Sequence, residues 1–233
     1  MKPDYKIKSL REVIKIVEKE SQITTIIFDL GDTLFSTFNP DELEFERDQK
    51  QLALIKSKYP ELNIEIGHYI KEEKFLLEKM DRIKRATFKE ERFEDFADKL
   101  LQKIIRKRDK ALLKEFCEIQ YEYMLKKTDM KPAVIPTLLQ LKRKNYKLGV
   151  ITNTWHSRRQ INKKLDKLKI KNFFSSIIIS ADFGTFKPHP SIFKKSLKEL
   201  RSKPEEAIFV GNDLEADIYG ANNVGIKTVL IRM

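Results

Sequence analysis

Four short stretches carry side chains that can do chemistry, and each follows an apolar run. Asp29 and Asp32 sit three apart, with Gly31 between them, after "ITTIIF". Thr152, Asn153 and Thr154 close and follow "KLGVIT". Lys187 lies in "ADFGTFKPHP", directly after "SSIIIS". Asn212, Asp213, Glu215 and Asp217 follow "AIFVG". Together they offer a carboxylate, a hydroxyl, an ammonium and an acidic cluster. Hydroxyl and ammonium suit an anion, and the crowded acids suit a cation.

Each stretch alone also has a structural reading. An Asp at a strand end is commonly a turn or cap residue, a Thr there is commonly structural, Lys187 before Pro188 suits a surface, and acids suit a helix start. The order is the stronger signal, because one stretch follows each of four runs. Those runs, residues 23–30, 147–152, 175–180 and 207–211, with "KTVLI" (227–231), are β-branched, apolar and of strand length. Such runs read as parallel strands buried on both faces. Helical patterns alternate with the later ones, which predicts a doubly wound α/β sheet. In such a sheet ligands bind beyond the carboxyl ends of the strands, where all four stretches fall.

Residues 36–130 break the alternation. They are charged, Gly-poor and helically periodic, with Phe93, Phe96, Leu100, Leu101 and Ile104 on one face and Leu112, Phe116, Ile119 and Tyr123 on another. The prediction is an all-helical insertion with its own small core. Residues 1–21 are expected to form an amphipathic helical extension, with Leu10, Val13, Ile14 and Val17 on its buried face and Ser9 as its cap. The expected organisation is therefore 1–21, a core of 22–35 and 131–233, and a helical domain of 36–130.

A chain of 233 residues with 41% hydrophobic content can bury a real core. No apolar run reaches membrane-spanning length, and Cys117 is the single cysteine, so a cytoplasmic setting is expected. The net charge is +12. Residues 142–171 hold eleven Lys and Arg against Asp166 alone, +10 in all. No aromatic interleaving accompanies them, so a solvated face is preferred to a nucleic-acid surface.

The four stretches resemble the motifs of the haloacid dehalogenase (HAD) superfamily, in the branch with a helical cap inserted after the first motif. "IIFDLGDTLF", "LGVITNT", "FGTFKPHPSIF" and "AIFVGNDLEADIYGANNVGIKTVLI" are similar to its first to fourth motifs, and the likeness covers Ile23 to Met233. The resemblance implies a Rossmann-like core and a phosphatase acting on a small phosphorylated metabolite. Asp29 would be the nucleophile. Mg²⁺ would sit among Asp29, the Gly31 carbonyl and the fourth motif, with Asp213 placed ahead of Asn212 as its ligand there. Thr152, the Asn153 amide and Lys187 would hold the phosphoryl group. Asp217 would orient Lys187 or hold a metal-bound water. The assembly expected is a monomer or homodimer.

Two positions depart from the family pattern. The usual acid–base Asp, two residues after the nucleophile, is Gly31 here, so Asp32 is the candidate replacement. The acid usual after the fourth-motif Gly is Asn212, with Asp213 one step later. Gly31 also fits a metal-free haloacid dehalogenase that uses the same Asp nucleophile. Asp213, Glu215 and Asp217 fit that chemistry poorly, and Arg47 is only a loose candidate for its halide-receiving arginine. A catalytically weak binding module on the same fold is a third reading. Phe35 and Phe38 are expected to pack where core and insertion join.

Overall fold

The computed structural model describes residues 2–37, 41–126 and 128–232; Phe38 lies outside them. The chain divides into two compact units, Met1–Thr37 with Asp129–Met233, and Phe38–Thr128.

The first unit is built on a six-stranded sheet. Its strands are β1 (Tyr5–Ile7), β2 (Thr25–Phe28), β5 (Lys147–Thr152), β6 (Ser176–Ile179), β7 (Ala207–Gly211) and β8 (Lys227–Ile231), in the order β1-β8-β7-β2-β5-β6. Every described pairing is parallel. β2 sits between β7 and β5, and all four of its residues are buried. That is why its sequence is apolar without alternation. Ile27, Ile151 and Phe209 pack with Phe193 and Leu197 of the helix Pro190–Leu200. Each such side chain contributes roughly 1.5–3 kcal/mol on full burial.

The N-terminal segment holds more than a helix. α1 (Glu12–Lys19) buries Val13, Ile14 and Val17, and Leu10 is buried beside it. Ser9 Oγ accepts from Arg11 N at 3.4 Å, while the Glu12 carboxylate reaches back to the amides of Lys8 and Ser9. Before the helix, β1 adds an edge strand beside β8. Three residues are too few to show a period, so the sequence pattern registers only the helix. The margins of the insertion carry strands as well: β3 (Phe35–Thr37) pairs with β4 (Thr128–Met130).

The second unit is helical: α2 (Asp41–Lys58), α3 (Ile66–Thr87), α4 (Phe93–Ile105) and α5 (Lys110–Lys126). The periodic face of α4 is buried, and Phe93 stacks on Phe116 of α5. Polar groups are buried here too. Arg47 of α2 pairs with Asp48 and, at 2.8 Å, with Glu73 of α3. Tyr69 Oη donates to Gln51 Oε1 at 2.9 Å. No helix among the described residues is long and apolar enough to cross a membrane.

Burial pushes Glu73 up to about 7, against the attraction of Arg47. In the unfolded chain Glu73 titrates in the ordinary carboxylate range, so between the two values the folded chain holds the extra proton. Its contribution to stability therefore falls as pH rises through that window. Glu73→Gln is expected to flatten the loss of stability between pH 5 and pH 8 by about 1–3 kcal/mol, read by urea denaturation at the two pH values.

Candidate active site

Asp29 is the residue immediately after β2, and its amide donates to Val210 O at 2.9 Å. Pairing with β7 thus fixes the backbone from which the carboxylate projects. Lys187 enters from the loop after β6. Its Nζ donates to Asp29 Oδ1 at 2.7 Å and to Asp217 Oδ1 at 2.6 Å. All three side chains are buried, so one ammonium serves two carboxylates and the trio carries a net charge of −1.

That imbalance sets the electrostatics. Burial pushes Asp29 up to about 6; Lys187 opposes the shift and Asp217 adds to it. Burial pulls Lys187 down, but Asp217 and Asp29 outweigh it and hold the ammonium above the ordinary lysine range. Breaking a buried pair by removing one partner costs about 3–5 kcal/mol, so the trio is an obligate unit.

Backbone ties hold the rest in place. The Asn153 carboxamide donates to Lys187 O at 2.9 Å and accepts from Lys187 N at 2.8 Å. This reciprocal bond pins the loop that delivers the ammonium. Ser180 Oγ accepts from Thr154 N at 2.8 Å and donates to Thr154 O at 3.0 Å, so the turns after β5 and β6 share one hydroxyl. Thr152 is buried at the end of β5. The motif resemblance implies only a backbone role for Asn153, and nothing in the sequence marks Ser180. Neither residue type announces a tie to a loop distant in sequence.

After β7 the chain makes a wide π-helical turn, Leu214–Tyr219, a form common at functional sites. Asp213 begins it, and its Oδ1 accepts from the amides of Glu215 and Ala216 at 2.8 and 2.7 Å. Asp217 turns inward, and its Oδ2 accepts from the amides of Asn212 and Asp213, both at 3.0 Å. Gly211 leaves room for it, since a Cβ there would lie 2.3 Å from that oxygen. Asn212 is exposed, and its Oδ1 accepts from Thr33 Oγ1 at 3.2 Å. The Thr33 hydroxyl also acts on Asp29, pulling its pKa down.

Asp32 is exposed, and it adopts a left-handed backbone conformation, φ 54°. Asp is among the residue types that tolerate this region. The Lys131 ammonium donates to its carbonyl oxygen. In the same loop as Lys187, His189 Nδ1 accepts from Ser191 N and caps the helix Pro190–Leu200.

The donor set suits a hard cation. Asp29, Asn212 and Gly31 could supply a carboxylate, a carboxamide oxygen and a main-chain carbonyl, and the buried trio would bring one negative charge. Among the described residues no three His, Cys, Asp or Glu side chains form a metal cage. Any ion here would depend on neutral oxygens for part of its shell.

A family profile described as haloacid dehalogenase-like hydrolase matches residues 26–231. A glyceraldehyde 3-phosphate phosphatase of Methanocaldococcus jannaschii is 31% identical over 90% of this chain and 85% of its own length. One from Pyrococcus furiosus is 48% identical, over 42% of this chain. That match spans only 40% of the Pyrococcus protein's length. The crystal structure of a 2-haloacid dehalogenase from Pseudomonas syringae superposes with TM-score 0.64 over 89% of this chain and 86% of its own, at 23% identity. At that identity the likeness speaks for the fold alone.

Two substitutions test the architecture. Lys187→Met is expected to lower stability by about 3–5 kcal/mol at pH 8. The deficit should be smaller at pH 5, because without the ammonium Asp29 titrates still higher and takes up a proton in the folded state. Denaturant titration at both pH values reads this out. Gly211→Ala forces Asp217 aside and should cost about 1–3 kcal/mol, measured as a fall in the thermal midpoint.

Proposed function

The chain belongs to the haloacid dehalogenase-like hydrolases, and we propose that it is a magnesium-dependent phosphatase for a small phosphate monoester. The observation that carries this is the buried trio of Asp29, Lys187 and Asp217 with its net charge of −1. A lone extra negative charge beside a nucleophilic carboxylate repels a phosphate ester, so the site calls for a divalent cation.

In this reading Asp29 attacks phosphorus, the ester P–O bond breaks, and an aspartyl-phosphate forms. Water then attacks that phosphorus and restores the Asp29 carboxylate. The cation's residues are the Asp29 carboxylate, the Gly31 carbonyl and Asn212, with Asp213 adding charge at the rim. Asp213 is placed second because its Oδ1 already serves two amides, whereas Asn212 Oδ1 accepts from the Thr33 hydroxyl, and that hydroxyl also acts on Asp29. Bound Mg²⁺ would keep Asp29 ionised and offset phosphoryl charge. Lys187 holds a phosphoryl oxygen from the Asp29 side, and Thr152 with the Asn153 amide holds others. Asp217 orients Lys187. Asp32 follows the position that Gly31 leaves without an acid, and it would activate the water.

The relatives named glyceraldehyde 3-phosphate phosphatase, those of Pyrococcus furiosus and Methanocaldococcus jannaschii among them, support a substrate class. A triose phosphate is the first compound to offer. The dehalogenase reading is weaker on one further ground. Arg47, the arginine available to receive a halide, is held by Asp48 and Glu73.

Phosphate release from glyceraldehyde 3-phosphate and a panel of other small monoesters, with and without Mg²⁺, tests the proposal. Release should require Mg²⁺ and should fall by more than about 10⁴-fold in Asp29→Asn, the scale of losing a nucleophile. Halide release from 2-haloacids without metal, and no phosphate release, would sink it.

A further inference from the structure

Gly31 leaves the departing oxygen of a phosphate ester without the usual acid, and the fold delivers another group to the same turn. β3 and β4 pair where the insertion begins and ends. Lys131, the residue after β4, is thereby brought beside residues about a hundred positions earlier in the chain. Its amide donates to Leu34 O at 3.2 Å. Its ammonium donates to the carbonyl oxygen of Asp32 and lies within electrostatic reach of both Asp29 and Asp32. The side chain is half-buried.

Lys187 and Lys131 are differently employed. Lys187 gives two of its three ammonium donors to buried carboxylates, Asp29 and Asp217. Lys131 rests on a main-chain carbonyl one residue beyond Gly31 and keeps partial access to solvent, so its long side chain can turn to an incoming group. Burial holds it below the ordinary lysine range, as expected of an ammonium whose hydration is already incomplete. Such a donor is stronger toward a developing oxyanion than one in bulk water.

We propose that Lys131 is a catalytic residue that donates a hydrogen bond to the leaving oxygen of the substrate, taking over the charge-stabilising part of the role that Gly31 cannot fill. The inference rests on the phosphatase reading above. In the step concerned, the bond between Asp29 and phosphorus forms while the ester P–O bond breaks. The ester oxygen departs with the bonding electron pair, its charge met by the Lys131 ammonium. It then takes its proton from water on release.

The dependence on leaving group provides the test. A simple alkyl phosphate leaves as a poorly stabilised alkoxide and needs the ammonium; p-nitrophenyl phosphate leaves as a delocalised phenolate and hardly does. With Mg²⁺ present, Lys131→Met should lower kcat by about 10²–10³-fold on the alkyl ester and less than about tenfold on the aryl ester. Lys131→Arg, which keeps the charge, should recover at least about tenfold of the alkyl loss. Equal losses on both esters, no loss on either, or no recovery in the arginine variant overturns the assignment. Asp29→Asn separates the two levels. If wild-type release depends on Asp29 but the Lys131 variants do not discriminate, only the Lys131 role fails. If neither ester gives Asp29-dependent release, both readings fail together.

Discussion

One ammonium shared by two buried carboxylates is the constraint on which this site depends. Lys187 cannot leave without stranding Asp29 and Asp217, and neither acid can move without unbalancing the other. The structure spends many bonds to hold that geometry. The Asn153 side chain pins the backbone of Lys187 from both its amide and its carbonyl. Gly211 vacates the space that Asp217 fills, and two amides fix the second oxygen of Asp217. Buried ion pairs are poor sources of net stability. A trio held with this much support, at the carboxyl ends of parallel strands, is better explained by chemistry than by folding.

The net charge of that trio ranks the possible reactions. A metal-free site for an anionic substrate would gain from a positive balance around the nucleophile, whereas the buried balance here is negative. The deficit is confined to the interior, where charges interact strongly, and surface lysines farther than about 8–10 Å away are screened by salt. A cation held next to Asp29 corrects the deficit where it arises. In the proposed site a neutral Asn212 would complete coordination without adding charge.

Much of this was legible in the sequence, for a definite reason. Strands buried on both faces must be apolar throughout, so β2, β5, β6, β7 and β8 stand out as runs, and the polar residues that end them stand out by contrast. The helical insertion was legible because α4 and α5 bury faces at helical spacing. Short elements were not. β1, β3 and β4 have three residues each, too few for any period, yet the β3–β4 pairing is what brings Lys131 to Asp32. Side-chain roles were the least legible. Asp213 and Asp217 are the same residue type four apart; one caps a turn and the other turns inward to the lysine. Only the π-helical turn separates them, and no composition rule foretells it. Asp32 shows the same limit, because the sequence placed the conformational freedom on Gly31, whereas the left-handed backbone angle falls on Asp32.

The basic segment shows why counted charge and available charge differ. Its +10 suggests a docking surface for a polyanion, but part of that charge is already employed. Lys144 pairs with Glu18, Lys171 with Asp166, and Arg158 with Asp182. Lys164 is buried, its ammonium 3.9 Å from the centre of the Phe35 ring. A nucleic-acid surface needs cations free to displace counterions along a backbone, and each of these internal contacts would compete with that. The exposed remainder still produces a positive field, and a diffuse positive field serves a small anionic substrate without any built contact. Long-range attraction from the surface and a locally negative, cation-requiring site are therefore compatible. For the proposed phosphatase the first would raise the encounter rate of a phosphate ester, and the second would leave its binding to the residues that end the strands.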